Sequence, residues 1–261
     1  MTQRSRPRIP DRVEYRLRCM RQPLYLRVAF VAAVAAALTQ IPARAQSTPQ
    51  TSRPMKIGFI GSGNIGGAIG ELLAKAGHEV LFSSRNPDNL TPLVARVGPR
   101  ARAGTPKEAI AFGDVVFLGV PYSSMAQIGQ DHARDLKGKI VLDAGNPNVR
   151  RDGAVAEAAV AKGAGVATAE HLPGARIVRA FNQLNFKVFL SEAHRAGDRV
   201  AVPLASDDSQ ALAVASRLVT DAGFEPVVVG PLAAGKTFDS SQPIFLKAMT
   251  ARELRAALKL P

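Results

Sequence analysis

The stretch Lys56-Ile57-Gly58-Phe59-Ile60-Gly61-Ser62-Gly63-Asn64-Ile65-Gly66-Gly67-Ala68-Ile69-Gly70 decides the fold. Ile57 to Ile60 is a short apolar run and predicts a buried parallel strand. Gly61, Gly63 and Gly66 follow in G-x-G-x-x-G spacing. A helical pattern begins at once, with Ile65, Ile69, Leu72 and Leu73 on one face and Ala76-Gly77 at its end. Strand, glycine loop and helix in that order are the context in which this spacing signals a dinucleotide. Each glycine has its own reason. Gly61 lets the chain turn off the strand, Gly63 lets a pyrophosphate approach the backbone, and Gly66 lets the helix pack close to the strand. The helix N-terminus then offers free N–H groups to the phosphates.

The next strand, His78 to Ser83, ends in Ser83-Ser84-Arg85-Asn86-Pro87. An NAD site places Asp or Glu at this strand end, about 20 residues past the glycines, against the ribose 2′-hydroxyl. Here Arg85 follows Gly66 by 19 residues, and Asp88 comes only three residues later. A serine hydroxyl and a guanidinium suit a 2′-phosphate, which selects NADP(H).

Further along, Asn89 to Val97 reads as a short helix or loop, and Thr105 with Glu108 has capping-box spacing. Asp114 to Val120 and Lys139 to Asp143 are apolar strands. Val120-Pro121-Tyr122 and Ala144-Gly145-Asn146-Pro147 follow at their carboxyl ends, on the ligand side of such a sheet. Arg150 to Gly153 reads as a polar turn, with helical stretches at Ala154–Ala161 and Ala167–Leu172. Arg176 to Ala180 is a strand, capped by Phe181-Asn182-Gln183. Arg199 to Leu204 contains Pro203 and so reads as an edge or irregular strand. Asp207 to Ala222 is a helix and Pro226 to Val229 the last strand. The fold class is therefore α/β, a Rossmann-type doubly wound, mostly parallel sheet. It forms a single domain over 55–232, with a short helical C-terminal segment at 233–261.

The formal charge is +13, but residues 1–45 alone hold nine Arg against Asp11 and Glu14. The remaining basic groups are scattered without an aromatic-interleaved stripe, which argues against nucleic acid as a partner. Residues 20–45 have the pattern of a signal peptide. Arg21 and Arg27 lead into the apolar run Val28–Leu38, and Ala43-Arg44-Ala45 makes an A-x-A site. Cleavage would leave Gln46 first, and Met20 is a candidate true start. Residues 46–54 read as a polar linker. The expected location is periplasmic or otherwise exported, with no stable membrane span in the mature form. A cytoplasmic or inner-membrane-anchored protein is the alternative. Cys19 is the only cysteine, so no disulfide framework is expected within one chain.

Six motifs resemble, in order, the deazaflavin (coenzyme F-420)-dependent NADP oxidoreductase family. They are Ile57 to Gly66, Ser84-Arg85-Asn86-Pro87, Gly119-Val120-Pro121, Asp143-Ala144-Gly145-Asn146-Pro147, Arg179-Ala180-Phe181-Asn182, and Ala222 to Pro226 with Val229 to Leu232. The chain is also similar to the cytosolic reductase domain of the six-transmembrane metalloreductases. The resemblance implies NADP held by Ser62, Gly63, Asn64, Ile65, Ser84 and Arg85, with the nicotinamide near Pro121, Tyr122, Asn146 and Asn182. It also implies a small-molecule electron acceptor of flavin or deazaflavin type. That family is typically cytosolic, which pulls against the export signal.

Two other readings stay open. One is an NADP-binding sensor or assembly protein without turnover. The other is a pyrroline-5-carboxylate reductase-like imine reductase, for which the 29 residues after Leu232 are short of the usual helical dimerisation domain. A monomer and a homodimer are both open. No catalytic acid or base and no metal-ligand spacing stands out. His78 reads as a strand-start residue, and His171 as lying near a ligand-side connection.

Overall fold

β1 (Lys56–Ile60) lies inside an eight-stranded sheet ordered β3-β2-β1-β4-β5-β6-β7-β8. The other strands are β2 (Glu79–Ser83), β3 (Ala101–Gly104), β4 (Val115–Leu118), β5 (Ile140–Asp143), β6 (Arg176–Arg179), β7 (Ala201–Ala205) and β8 (Glu225–Gly230). This computed structural model describes residues 53–261, which form one compact unit. The expected signal segment and all but the last two residues of the expected linker lie outside the described residues. All pairings are parallel except β6 with β7, which meet antiparallel at Arg179 and Ala205 alone. The sheet is thus Rossmann-type and mostly parallel, as the alternation of strand and helix patterns requires.

Helices cover both faces. On one face lie α1 (Asn64–Lys75) and α2 (Thr91–Val97). The elements α3 (Pro106–Phe112), α4 (Met125–Leu136), α5 (Val149–Asp152), α6 (Ala154–Lys162) and α7 (Ala164–His171) follow in sequence. Of these, α3, α4, α6 and α7 bury Ile110, Met125, Leu136, Ala159, Ala164 and Ala167 against the opposite face. α8 (Phe186–Glu192) and α9 (Ser209–Asp221) return to the first face. There Phe59 stands in register with Phe82 and Phe117, so parallel pairing lines their rings up, with centroids 5.2 and 5.0 Å apart. The row continues through Phe181 and Phe189 to Phe224, which ties the outlying strands to the centre.

Four sequence readings are corrected here. β3 was not foreseen, because Ala-Arg-Ala-Gly carries no apolar run; it is a short edge strand with Arg102 and Ala103 exposed. Val149–Asp152 is a helical turn rather than a polar turn, because the Asn148 side chain accepts from the Arg150 and Arg151 N–H groups. Pro203 does not mark an edge. β7 lies between β6 and β8 and is the irregular strand of the two alternatives, its register with β8 shifting between Leu204 and Ala205; Pro203 is tolerated because β6 reaches β7 only at Ala205. The C-terminal segment is helical only in part. A 3-10 segment, Leu232–Phe238, and α10 (Ala251–Leu258) flank an irregular stretch. α10 opens on a full capping box from Thr250 to Glu253, and its Leu254 packs with Phe238 and Ile244 beside β7 and β8.

His78 is buried at the start of β2. Its Nδ1 accepts the Met55 N–H at 3.1 Å, which leaves Nε2 to donate to the Asp221 carboxylate at 3.1 Å. Burial holds its pKa below the usual histidine value, outweighing the raising effect of Asp221. The unfolded chain therefore takes up a proton at higher pH than the fold does. Stability is expected to fall as pH drops through about 6.5. Urea midpoints of the wild type and His78→Gln at pH 7.5 and 5.5 check this. The wild type should lose more than the variant, and equal losses would refute it.

Candidate functional site

The carboxyl ends of β1, β2, β4, β5 and β6 share one edge, because these strands run parallel. The chain leaves that edge through Gly61–Asn64, Ser84–Asn86, Gly119–Tyr122, Ala144–Pro147 and Ala180–Gln183. The strand order reverses direction between β1 and β4, where an open α/β sheet leaves a crevice.

The three loop glycines differ in what the fold demands of them. Gly61 has φ +93°, and a Cβ there would meet the Gly119 backbone. A Cβ on Gly66 would run into the Gly61 carbonyl oxygen. Gly63 has an ordinary φ of −74°, and no protein atom lies within 4 Å of the place its Cβ would occupy. Packing and backbone strain thus leave Gly63 free to be another residue, and the space beside it is open to a ligand. Gly63 is the N-cap of α1 and supplies no side-chain cap, whereas Thr105, Asn185, Asp208 and Thr250 cap their helices. The first N–H groups of α1, from Asn64, Ile65 and Gly66, are left for an external acceptor.

Hydrogen bonds pin this loop to β2. The Ser62 hydroxyl donates to the Ser83 carbonyl at 3.1 Å, and the Ser83 hydroxyl donates to the Phe59 carbonyl at 2.6 Å. Beyond Ser83, the Asn86 N–H donates to the Ser84 hydroxyl at 3.2 Å. Arg85 and Asn86 are exposed, and Arg85 forms no ion pair among the described residues. Asp88 belongs to the following 3-10 turn, Pro87–Leu90, past the strand end. A crevice of about 620 Å³ adjoins Ser62, Gly63 and Asn64, walled by Leu93, Phe186 and Leu190.

The side where the resemblance puts the nicotinamide is built differently from the sequence expectation. Val120 is half-buried and Pro121 is exposed. Tyr122 is not a wall. Its ring is wholly buried, and burial pushes the phenol up to about 12. The sequence could not show this, because a tyrosine after a strand serves either role. Pro147 is buried as well, and Asn146 is half-buried. The Asn146 amide donates to the Asn182 carbonyl at 2.7 Å, and Asn182 Nδ2 donates to the Phe238 carbonyl at 3.0 Å. That orientation leaves Asn182 Oδ1 buried and without a donor. Gln183 Oε1 is in the same condition.

Sequence reasoning missed the charged group beneath these amides. Arg179 ends β6, Asp143 ends β5, and the two are register partners. Both are fully buried, and Asp239 reaches Arg179 at 2.8 Å. Burial raises the Asp143 pKa despite the neighbouring guanidinium. Asp143 and Arg179 stand out as charges at the ends of apolar strands, which is the signal that could have found them. Asp239, 60 residues away, had no such signal. His171 does not lie on the ligand side. It closes α7, which leads into the amino end of β6, on the opposite edge. Among the described residues no group of three His, Cys, Asp or Glu could hold a metal ion, and no helix is long and apolar enough to cross a membrane.

Residues 56–147 match the family model described as NADP oxidoreductase, coenzyme F420-dependent. The chain is 27% identical to the metalloreductase STEAP3 of Rattus norvegicus over 192 residues, which is 71% of this chain and 36% of that one. It thus spans about a third of that curated relative. A hypothetical protein from Sinorhizobium meliloti is 28% identical, with TM-score 0.64 over 77% of this chain and 97% of that one. A protein described as an F420-dependent NADP reductase, from Arthrobacter sp. FB24, shares the fold at 22% identity. Its TM-score is 0.60, over 79% of this chain and 96% of that one.

Proposed function

We propose, from the premise that this chain is a relative of the coenzyme F420-dependent NADP oxidoreductases, that it passes hydride between NADP(H) and a flat, flavin-like or deazaflavin acceptor. The observation that carries the reading is Gly63, a glycine with no internal reason beside an uncapped helix N-terminus. The residues fit the cofactor. Gly63 and the first N–H groups of α1 would hold the pyrophosphate, and Ser84 and Arg85 the 2′-phosphate. The buried Asn182 Oδ1 is an acceptor awaiting a donor such as a carboxamide N–H. When bound, the nicotinamide supplies or receives the hydride. The chain's own part is to orient the two rings and keep water away. The adjoining crevice has the size of a small-molecule site and is open to such an acceptor. Export is proposed on the sequence of the N-terminal segment alone.

Hydride transfer between stacked rings needs no side chain to move a proton. His78 and His171 lie toward the amino edge, and His132 sits in the second half of α4, which runs back to that edge, while His194 lies beside Gly223 at the start of β8. NADPH consumption with a panel of flavins and a deazaflavin tests the proposal. We expect turnover with at least one flat acceptor and a rate varying less than about threefold between pH 6 and 8. No turnover with any of them despite NADPH binding would favour a non-catalytic sensor. A steep histidine-like profile would favour an acid–base dehydrogenase.

A further inference from the structure

Arg179 has all five of its guanidinium N–H donors occupied. Nε and Nη2 both donate to Asp239 Oδ1, at 3.0 and 2.8 Å. Nη2 also donates to Asn146 Oδ1 at 3.0 Å, and Nη1 donates to the carbonyls of Gly145 and Asp143. None is left for a ligand, so the residue acts through what it holds. What it holds is the nicotinamide end of the crevice. Its bond to Asn146 Oδ1 fixes that amide, so that Nδ2 must turn toward the Asn182 carbonyl. Its bond to Gly145 fixes the backbone that leads into Asn146 and Pro147.

The same guanidinium secures the C-terminal segment. Asp239 uses its other oxygen to accept the Ala164 N–H at 2.9 Å, so one carboxylate joins β6, α7 and the end of the 3-10 segment. The Arg179 stem passes between Gly165 and Gly235; an added Cβ on Gly235 would press on it at 3.2 Å, and one on Gly165 would stand in ordinary contact at 3.5 Å. Just beside this anchor, Phe238 supplies the carbonyl that orients Asn182, and Gln183 Nε2 donates to the Lys247 carbonyl at 2.9 Å. A segment remote in sequence thus sets the two amides whose buried acceptors face no donor.

We propose that Arg179 is a positioning residue, clamped by Asp239, that shapes the nicotinamide half of the cofactor site through Asn146 and Asn182 and leaves the adenosine half untouched. The proposal rests on the NADP(H) reading above. A lysine cannot replace the planar fork, since it carries three donors on a single nitrogen.

The test compares two ligands on the full chain. Adenosine 2′,5′-bisphosphate occupies only the adenosine half, and NADPH occupies both. For Arg179→Lys we expect the bisphosphate dissociation constant to change less than about twofold and that of NADPH to rise about tenfold. The fluorescence of bound NADPH at saturation should also fall, because the ring is held less firmly. Asp239→Asn is measured alongside. It keeps the side-chain shape and leaves Arg179 opposite Asp143 as a balanced pair, so it remains informative if the lysine variant does not fold. It should shift the ratio in the same direction, by at least about threefold. A folded variant pair with an unchanged ratio, or with both ligands weakened alike, overturns the clamp and leaves Arg179 a stability residue. If the wild type binds neither ligand, the NADP(H) reading fails and the clamp falls with it. If it binds both, only the variants decide.

Discussion

Gly66→Ala is expected to destabilise the fold by about 3 kcal/mol or more, while Gly63→Ala leaves stability within about 1 kcal/mol and removes NADPH affinity by more than about tenfold. Both glycines stand in one motif, and both substitutions add one methyl group. At Gly66 that methyl meets the Gly61 carbonyl oxygen, which is backbone and cannot rotate away. α1 would have to lift off β1, and its buried Ile69, Leu72 and Leu73 would move with it. The gain in helix propensity from Gly to Ala is about 1 kcal/mol and does not offset that. At Gly63 the methyl meets no protein atom, and its φ of −74° suits alanine. Its cost to the protein is limited to a poorer N-cap, but it occupies the space a pyrophosphate needs. Urea unfolding and NADPH titration of the two variants separate the cases. Wild-type NADPH binding by Gly63→Ala would mean that the phosphates lie elsewhere.

Arg85→Ala should weaken NADPH by about 1.5–3 kcal/mol and NADH by little, the range of hydrogen bonds to charged groups. Arg85 is exposed at the end of β2 and forms no ion pair among the described residues, so it can turn to a 2′-phosphate without first leaving a protein anion. Ser84 is fixed beside it through the Gly104 carbonyl and the Asn86 N–H. Asp88, the nearest acid downstream, has been carried into the 3-10 turn after Pro87. Paired titrations of wild type and variant with both dinucleotides give the answer. Equal losses for NADPH and NADH would remove the 2′-phosphate assignment.

On the proposed reading the Gly61–Gly66 loop and the open ends of β4 and β5 would carry the cofactor, and Arg179 would bring residues from the far end of the chain to its nicotinamide side. α8 and the Gly63 region border one crevice because Phe186 follows directly on the β6 loop. The acceptor and the cofactor would therefore be read by neighbouring backbone segments.

What the sequence by itself determined is local. β1, the glycine loop and α1 were legible because their signals, an apolar run, three glycines at set spacing and a helical period, lie within 15 consecutive residues. The same holds for the capping box at Thr105 and Glu108, for Arg85 at the end of β2, and for the alternation that makes the sheet mostly parallel. What only the tertiary structure decided depends on partners distant in the chain. Tyr122 is inside the core rather than on the crevice, because it packs into the cluster that α4, α6 and α7 build on that face, and no feature near Tyr122 encodes that cover. Pro203 sits within the sheet because β6 touches β7 at one residue. Arg179 finds Asp239 60 residues away, and burial makes that pairing obligatory: a guanidinium taken from water must find acceptors wherever the fold brings them.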